Sequence, residues 1–234
     1  RGDVIEIFPA YEEQAIRVPD GIDAETAAAV MLQGLTAEYL ATSTFPLQPG
    51  HRCLIHAGAG GVGRLLIQIA KLRGAEVFAT VGSPEKVEVA RSAGADHVID
   101  YREQSFVEAI EAIAGPKPLD VVYDGVGAAT FEGGLRLLKP RGTMVTFGNA
   151  SGPVEPVAPL TLMRAGSVFL TRPTLGDYIR DRAEYEERAA RLFGWIADGS
   201  VEVLVGARYP LADAAEAHRA LESRATTGKL LLIP

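Results

Sequence analysis

The strongest chemical signal in the chain is a run of glycines. Gly58–Ala59–Gly60–Gly61–Val62–Gly63 fits G-x-G-x-x-G, directly after an apolar run ending at His56 and directly before a helical pattern. There the first glycine allows a tight turn, the second lets the backbone approach a pyrophosphate, and the third lets helix pack close to strand. The N–H groups that open the helix then face the anion. With 25 glycines in the chain, a lone match says little, and the competing reading is a structural Gly-rich turn. The strand–loop–helix setting favours the phosphate loop.

A second position decides which dinucleotide fits. An acidic residue at the end of the next strand, ~20 residues on, would take the ribose hydroxyls of NAD. Here that strand ends Thr80–Val81–Gly82–Ser83 with no acid, and Glu76 begins it, at the wrong end of the sheet. Ser83 offers a hydroxyl and Lys86 a cation in the following loop and first helical turn, suited to a 2′-phosphate. Lys86 read alone is more often a solvated helix residue. The missing acid turns the expectation to NADP(H).

Elements that would position these residues can be read around them. Short apolar runs at Cys53–His56, Glu76–Val81, His97–Ile99, Asp120–Tyr123 and Met144–Phe147 read as buried strands. Between them run helical patterns: Leu65, Ile69 and Leu72 before Gly74; Ser83–Pro84 opening a helix that Gly94 ends; Ser105 with Glu108 as a capping box ahead of Ile110 and Ile113; and Phe131, Leu135 and Leu138 before Pro140. Such alternation predicts an α/β fold, a doubly wound parallel sheet of Rossmann type. The flanks differ. Val4–Ile5–Glu6–Ile7 alternates, a helix is expected around Glu25–Gln33, and Tyr185, Ala189, Leu192 and Ile196 share a helical face that Gly199 ends. Val201–Val205 and Lys229–Ile233 read as strands, with Asp213 and Glu216 opening a helix to Ser223.

Composition excludes several classes. The 234 residues carry 23 basic and 30 acidic side chains, a net charge of −7, and 47% apolar residues. An acidic chain without a basic-aromatic cluster argues against nucleic acid, and no apolar run is long enough to span a membrane. The single Cys53 excludes an internal disulfide and suits a reducing compartment, so a cytoplasmic protein is expected. His51, His56, His97 and His218 lack metal-ligand spacing, and His56 reads as a packed core histidine.

The phrase HAGAGGVGRLLIQIAKLRGAEVFATVGSPEK, followed by AGADHVIDYREQSF, VVYDGVG, TFGNASG, LTRPTL and the terminal ESRATTGKLLLIP, resembles the quinone oxidoreductase (zeta-crystallin-like) branch of the medium-chain dehydrogenase/reductase superfamily. The likeness runs from about Val18 to Pro234. It implies a nicotinamide cofactor, NADPH, bound by Gly61 and Val62 at the pyrophosphate, and by Gly82, Ser83, Lys86 and Tyr101 at the adenosine phosphate. Phe147, Gly148, Asn149 and Ala150 would pass under the nicotinamide ribose, Leu170, Arg172 and Pro173 would flank the carboxamide, and Thr36 and Arg224 would face the cofactor. Each has a plainer reading: Tyr101 a surface aromatic, Arg172 an ion-pair partner, Arg224 a loop cation, Phe147 a core residue. The resemblance further implies a zinc-free reductase, because the branch that holds structural zinc carries a cysteine cluster.

The family places a mostly β, GroES-like catalytic domain ahead of the cofactor domain. The expectation is that residues 1–33 are its remnant, 34–170 the NADP-binding Rossmann domain, and 171–234 the return to the catalytic domain. RGDVIEIFPAYEEQAIRVPDGI reads as a compressed end of that domain, as if segments were omitted, and the chain begins at Arg1 rather than methionine. Implied is hydride transfer from NADPH to a quinone. An enone or enoyl reductase and a noncatalytic NADPH-binding protein are the alternatives. No base or nucleophile constellation is present, so no catalytic residue is assigned. Family members pair as dimers through the cofactor-domain edge, and Ser167–Thr171 could supply that edge or be buried within the monomer.

Overall fold

The computed structural model describes residues 6–7, 15–223 and 226–234. In chain order the elements are β1 (Glu6–Ile7), β2 (Ile16–Arg17), α1 (Ala24–Tyr39) with a π-helical turn over Leu40–Thr44, β3 (Arg52–Ile55), α2 (Gly61–Leu72), β4 (Glu76–Val81), α3 (Pro84–Ser92), β5 (His97–Asp100), α4 (Phe106–Ala114) and β6 (Leu119–Asp124). Then follow α5 (Phe131–Leu137), β7 (Leu138–Thr146), α6 (Pro159–Gly166), β8 (Phe169–Thr171), α7 (Leu175–Tyr178), α8 (Arg182–Ala197), β9 (Val205–Pro210), α9 (Ala214–Glu222) and β10 (Lys229–Ile233). Residues Val4 and Ile5, most of the compressed opening phrase and Arg224 lie outside the described residues.

Six strands form one parallel sheet in the order β5-β4-β3-β6-β7-β8. The chain winds outward from β3 in one direction, then returns to β6 and winds outward in the other. This is the doubly wound order with its switch point between β3 and β6. Central strands are apolar through their middles because helices cover both faces: Cys53, Leu54, Ile55, Val77, Phe78, Val121 and Val122 are fully buried. Alternation sorts them. Cys53, Ile55, Val77 and Tyr123 face the core shared with α1, α2 and α8, while Leu54, Phe78, Val122 and Met144 face the core under α4 and α5.

Of the three side-chain caps the sequence predicts, at Ser83, Ser105 and Asp213, only that at Ser105 forms. Ser105 accepts the Glu108 N–H at 3.4 Å, and Asp23 and Asp181 accept those of Thr26 and Glu184. Ser83 and Asp213 stand at the caps of α3 and α9, but neither side chain makes a capping bond. Ile113 and Leu72 are exposed, contrary to their expected faces. The strand expected at Val201–Val205 begins only at Val205. Upstream of it the Val201 N–H closes α8 on Trp195 O, and the Glu202 N–H goes to the Gln68 side chain. Once those donors are taken, that stretch has no ladder to join.

The expected boundaries at 33/34 and 170/171 fall inside α1 and β8, and packing runs across both. Val30, Leu35 and Tyr39 of α1 share one core with Tyr185, Ala189, Leu192 and Phe193 of α8 and with the sheet. A buried ion pair joins the two helices, Glu38 to Arg188 at 2.6 Å. The flanking pieces form two small ladders, β1 with β2 antiparallel and β9 with β10 parallel.

Candidate dinucleotide crevice

The phosphate loop leaves β3 at the switch point. Ladder bonds continue past the strand, His56 N–H to Tyr123 O at 3.1 Å and Gly58 N–H to Thr80 O at 2.9 Å, so the loop starts from a fixed base. The left-handed turn falls on Ala57, at φ 55°, and not on the first glycine of the motif. Gly63 has the packing role expected of the third glycine: a Cβ there would lie 2.3 Å from Ala57 O. The first bond of α2 runs from Arg64 N–H to Gly60 O, leaving the N–H groups of Gly61, Val62 and Gly63 at the open end of a twelve-residue helix. Gln33 of α1 covers Gly61 from the other side, its side chain lying where a Cβ would stand. Thr36, one turn further, donates its hydroxyl hydrogen to Leu32 O at 2.7 Å and so offers only lone pairs.

Beyond β4 and β5 the structure brings Gly82, Ser83, Lys86 and Tyr101 together. The Tyr101 N–H extends the ladder to Val81 O at 3.1 Å, and its hydroxyl lies 2.3 Å from where a Gly82 Cβ would be. The ring is half exposed at the rim. The Ser83 hydroxyl bonds the Glu85 side chain and, with Arg102 and Lys86 nearby, holds that carboxyl below its ordinary range. Arg102, next to Tyr101 in the chain, is a cation that the sequence pattern does not single out.

The other half of the crevice is a knot of two loops. Asp124, fully buried, accepts the N–H groups of Val126 at 2.7 Å and Gly127 at 3.0 Å and the Thr130 hydroxyl at 2.9 Å. The turn so formed binds the stretch after β7: Phe147 N–H to Asp124 O, Ala150 N–H to Gly125 O, Ser151 N–H to Val126 O and Ala128 N–H to Gly152 O. Gly148 allows the crossing, since its Cβ would stand 2.3 Å from Gly125 O. Phe147 is half-buried against the core, whereas Asn149 and Ala150 are exposed. Arg172 donates to Thr146 O at 3.0 Å, which sets Leu170–Pro173 beside Phe147–Ala150.

His56 is a packed core histidine. Its Nδ1 lies 2.9 Å from Thr80 Oγ1, and its ring meets Phe106 edge-on at 5.0 Å. Burial pushes its pKa down to about 4, against the opposing pull of the Asp124 charge, and leaves it neutral at physiological pH. Among the described residues no group of three or more His, Cys, Asp or Glu is placed to hold a metal ion, and no helix is long and apolar enough to cross a membrane.

A family model described as "Zinc-binding dehydrogenase" matches residues 61–195. The chain is 44% identical over 233 residues to a quinone oxidoreductase of Pseudomonas aeruginosa, an alignment covering 100% of this chain and 72% of that protein. It is 39% identical over 231 residues to a 2-haloacrylate reductase of a Burkholderia species, covering 97% and 69%. The crystal structure of Escherichia coli quinone oxidoreductase complexed with NADPH superposes with a TM-score of 0.91 at 47% identity, covering 94% of this chain and 67% of that one. By motif order, sheet topology and similarity over nearly its whole length, the chain belongs to the quinone oxidoreductase family of medium-chain dehydrogenases/reductases.

Proposed function

We propose that this chain binds NADPH across the switch-point crevice and that the protein it represents transfers hydride from NADPH to a quinone. The observation carrying this reading is the phosphate loop at the switch point, next to a strand end, residues 80–83, that carries no acid of its own and is followed by Lys86 and joined by Tyr101, the Glu85 carboxyl being held by the Ser83 hydroxyl. The residues fit the group. Three N–H groups at the start of α2 suit a pyrophosphate, and Lys86 with Arg102 suits a 2′-phosphate. When bound, the nicotinamide supplies the hydride. The protein's part is placement. Phe147–Ala150 and Leu170–Pro173 form the shelf for that ring, Thr36 presents lone pairs from α1, and Arg224 belongs to the same set. An activated alkene is the second substrate reading, favoured by the similarity to a 2-haloacrylate reductase.

The same reading takes the protein as a cytoplasmic homodimer. Supporting the dimer, β8 is an edge strand, and Phe169 on it and Leu160 and Met163 on α6 are exposed. One sample tests all of this through intact mass, solution mass, NADPH affinity, and turnover of quinones against enones. Turnover with a quinone and NADPH is expected. NADPH binding without turnover on any acceptor would support the noncatalytic alternative, and a monomeric mass would remove the dimer.

A further inference from the structure

Four adjacent strands each put a polar side chain on the same face of the sheet at their carboxyl ends: Thr80 on β4, His56 just after β3, Asp124 on β6 and Thr146 on β7. Register makes them a row. Ile55 pairs with both Ala79 and Tyr123, so His56 falls between Thr80 and Asp124, and Asp124 pairs with Thr146. All four are buried, in the layer that continues upward from Leu54, Phe78, Val122 and Met144. Apolar residues would pack more cheaply here, because a buried polar group costs free energy unless it is matched. The row is only partly matched: His56 bonds Thr80 and Asp124 bonds its own turn, while His56 Nε2 and Thr146 Oγ1 meet no protein partner among the described residues.

Position supplies the reason. Each member of the row immediately precedes a segment lining the crevice: residues 81–86, the phosphate loop, the 125–130 turn and the 147–152 stretch. We propose that His56 is a positioning residue for the dinucleotide. By bonding Thr80 on one side and lying beside Asp124 on the other, it holds the four loops at the spacing one extended cofactor spans. The inference rests on the NADPH reading above.

The test compares ligands of two lengths by fluorescence and calorimetric titration, with unfolding temperature followed on the same samples. His56→Leu and Thr80→Val are each expected to raise the NADPH Kd about five- to tenfold, the worth of one buried hydrogen bond. Adenosine 2′-phosphate, which on this reading reaches only the 82–86 turn, should change by less than about twofold. His56→Asn, whose amide can still reach the Thr80 hydroxyl, should stay within about threefold of the unsubstituted chain. Should His56→Leu fail to fold, Thr80→Val decides. Equal losses for both ligands, or unchanged NADPH affinity with a lowered unfolding temperature, would overturn the proposal. If the unsubstituted chain bound no NADPH, the cofactor reading would fall first and this inference with it.

Discussion

Loops at the carboxyl ends of β4 and β5 and loops at the ends of β6 and β7 lie along the same edge of the sheet, yet they are held in different ways. The first pair meets through a side chain at the rim, Tyr101 resting on Gly82, with Ser83 and Lys86 on the opening turn of α3. In the second pair the buried carboxylate of Asp124 fixes one turn, and main-chain bonds from that turn fix the next. Rim residues can change with little effect on folding. The knot is less tolerant, since Asp124, Gly127 and Thr130 at its centre are buried and a bond lost there is not replaced by water.

The largest expected effect lies in the knot. Asp124→Ala strands the Val126 and Gly127 N–H groups and leaves the Thr130 hydroxyl only its longer bond to Gly127 O, and should cost about 3–5 kcal/mol in urea unfolding. A loss below about 1 kcal/mol would break the contrast between the two halves. Lys86→Ala should leave folding alone and weaken NADPH binding by about 1.5–3 kcal/mol, with far less effect on NADH. Calorimetric titration showing equal losses for both nucleotides would remove the 2′-phosphate assignment.

Acid should single out the buried row. His56 titrates near 4 when folded and near 6.5 when unfolded, so between those values the unfolded chain binds a proton that the folded chain refuses. Stability therefore falls as pH drops from about 6.5 toward about 4, by on the order of 2 kcal/mol from this group. His56→Asn lacks that contribution, and parallel pH–stability curves for the two proteins would contradict it. The smallest effect belongs to the rim. Gly82→Ala pushes against the Tyr101 hydroxyl, but that ring is half exposed and free to swing outward, so folding should lose less than about 1 kcal/mol. Thermal unfolding showing more than about 2 kcal/mol would mean that Tyr101 is held as firmly as the knot.

Legibility followed the same division. The Gly-rich loop between β3 and α2 and the place of Lys86 on the first turn of α3 could be read directly, because they lie in contiguous residues with a period and a stop on either side. Asp124 had no such signal. Its role depends on donors two, three and six residues ahead that meet it only after the chain turns back. His56 was legible as a core residue, but not as the centre of a row, since its neighbours come from strands 24 and 68 residues away.

The strand–helix alternation, the Gly-rich loop after β3 and the acid-free end of β4 follow from local pattern and composition alone. Packing between distant elements settles that α1 and α8 join the core of the sheet, that the left-handed turn falls on Ala57 rather than on a glycine, and that 201–204 stays out of the ladder. The reason is common to all three. Each outcome depends on which distant group takes a given backbone bond or fills a given gap, and that is settled by register and packing between elements, not within them.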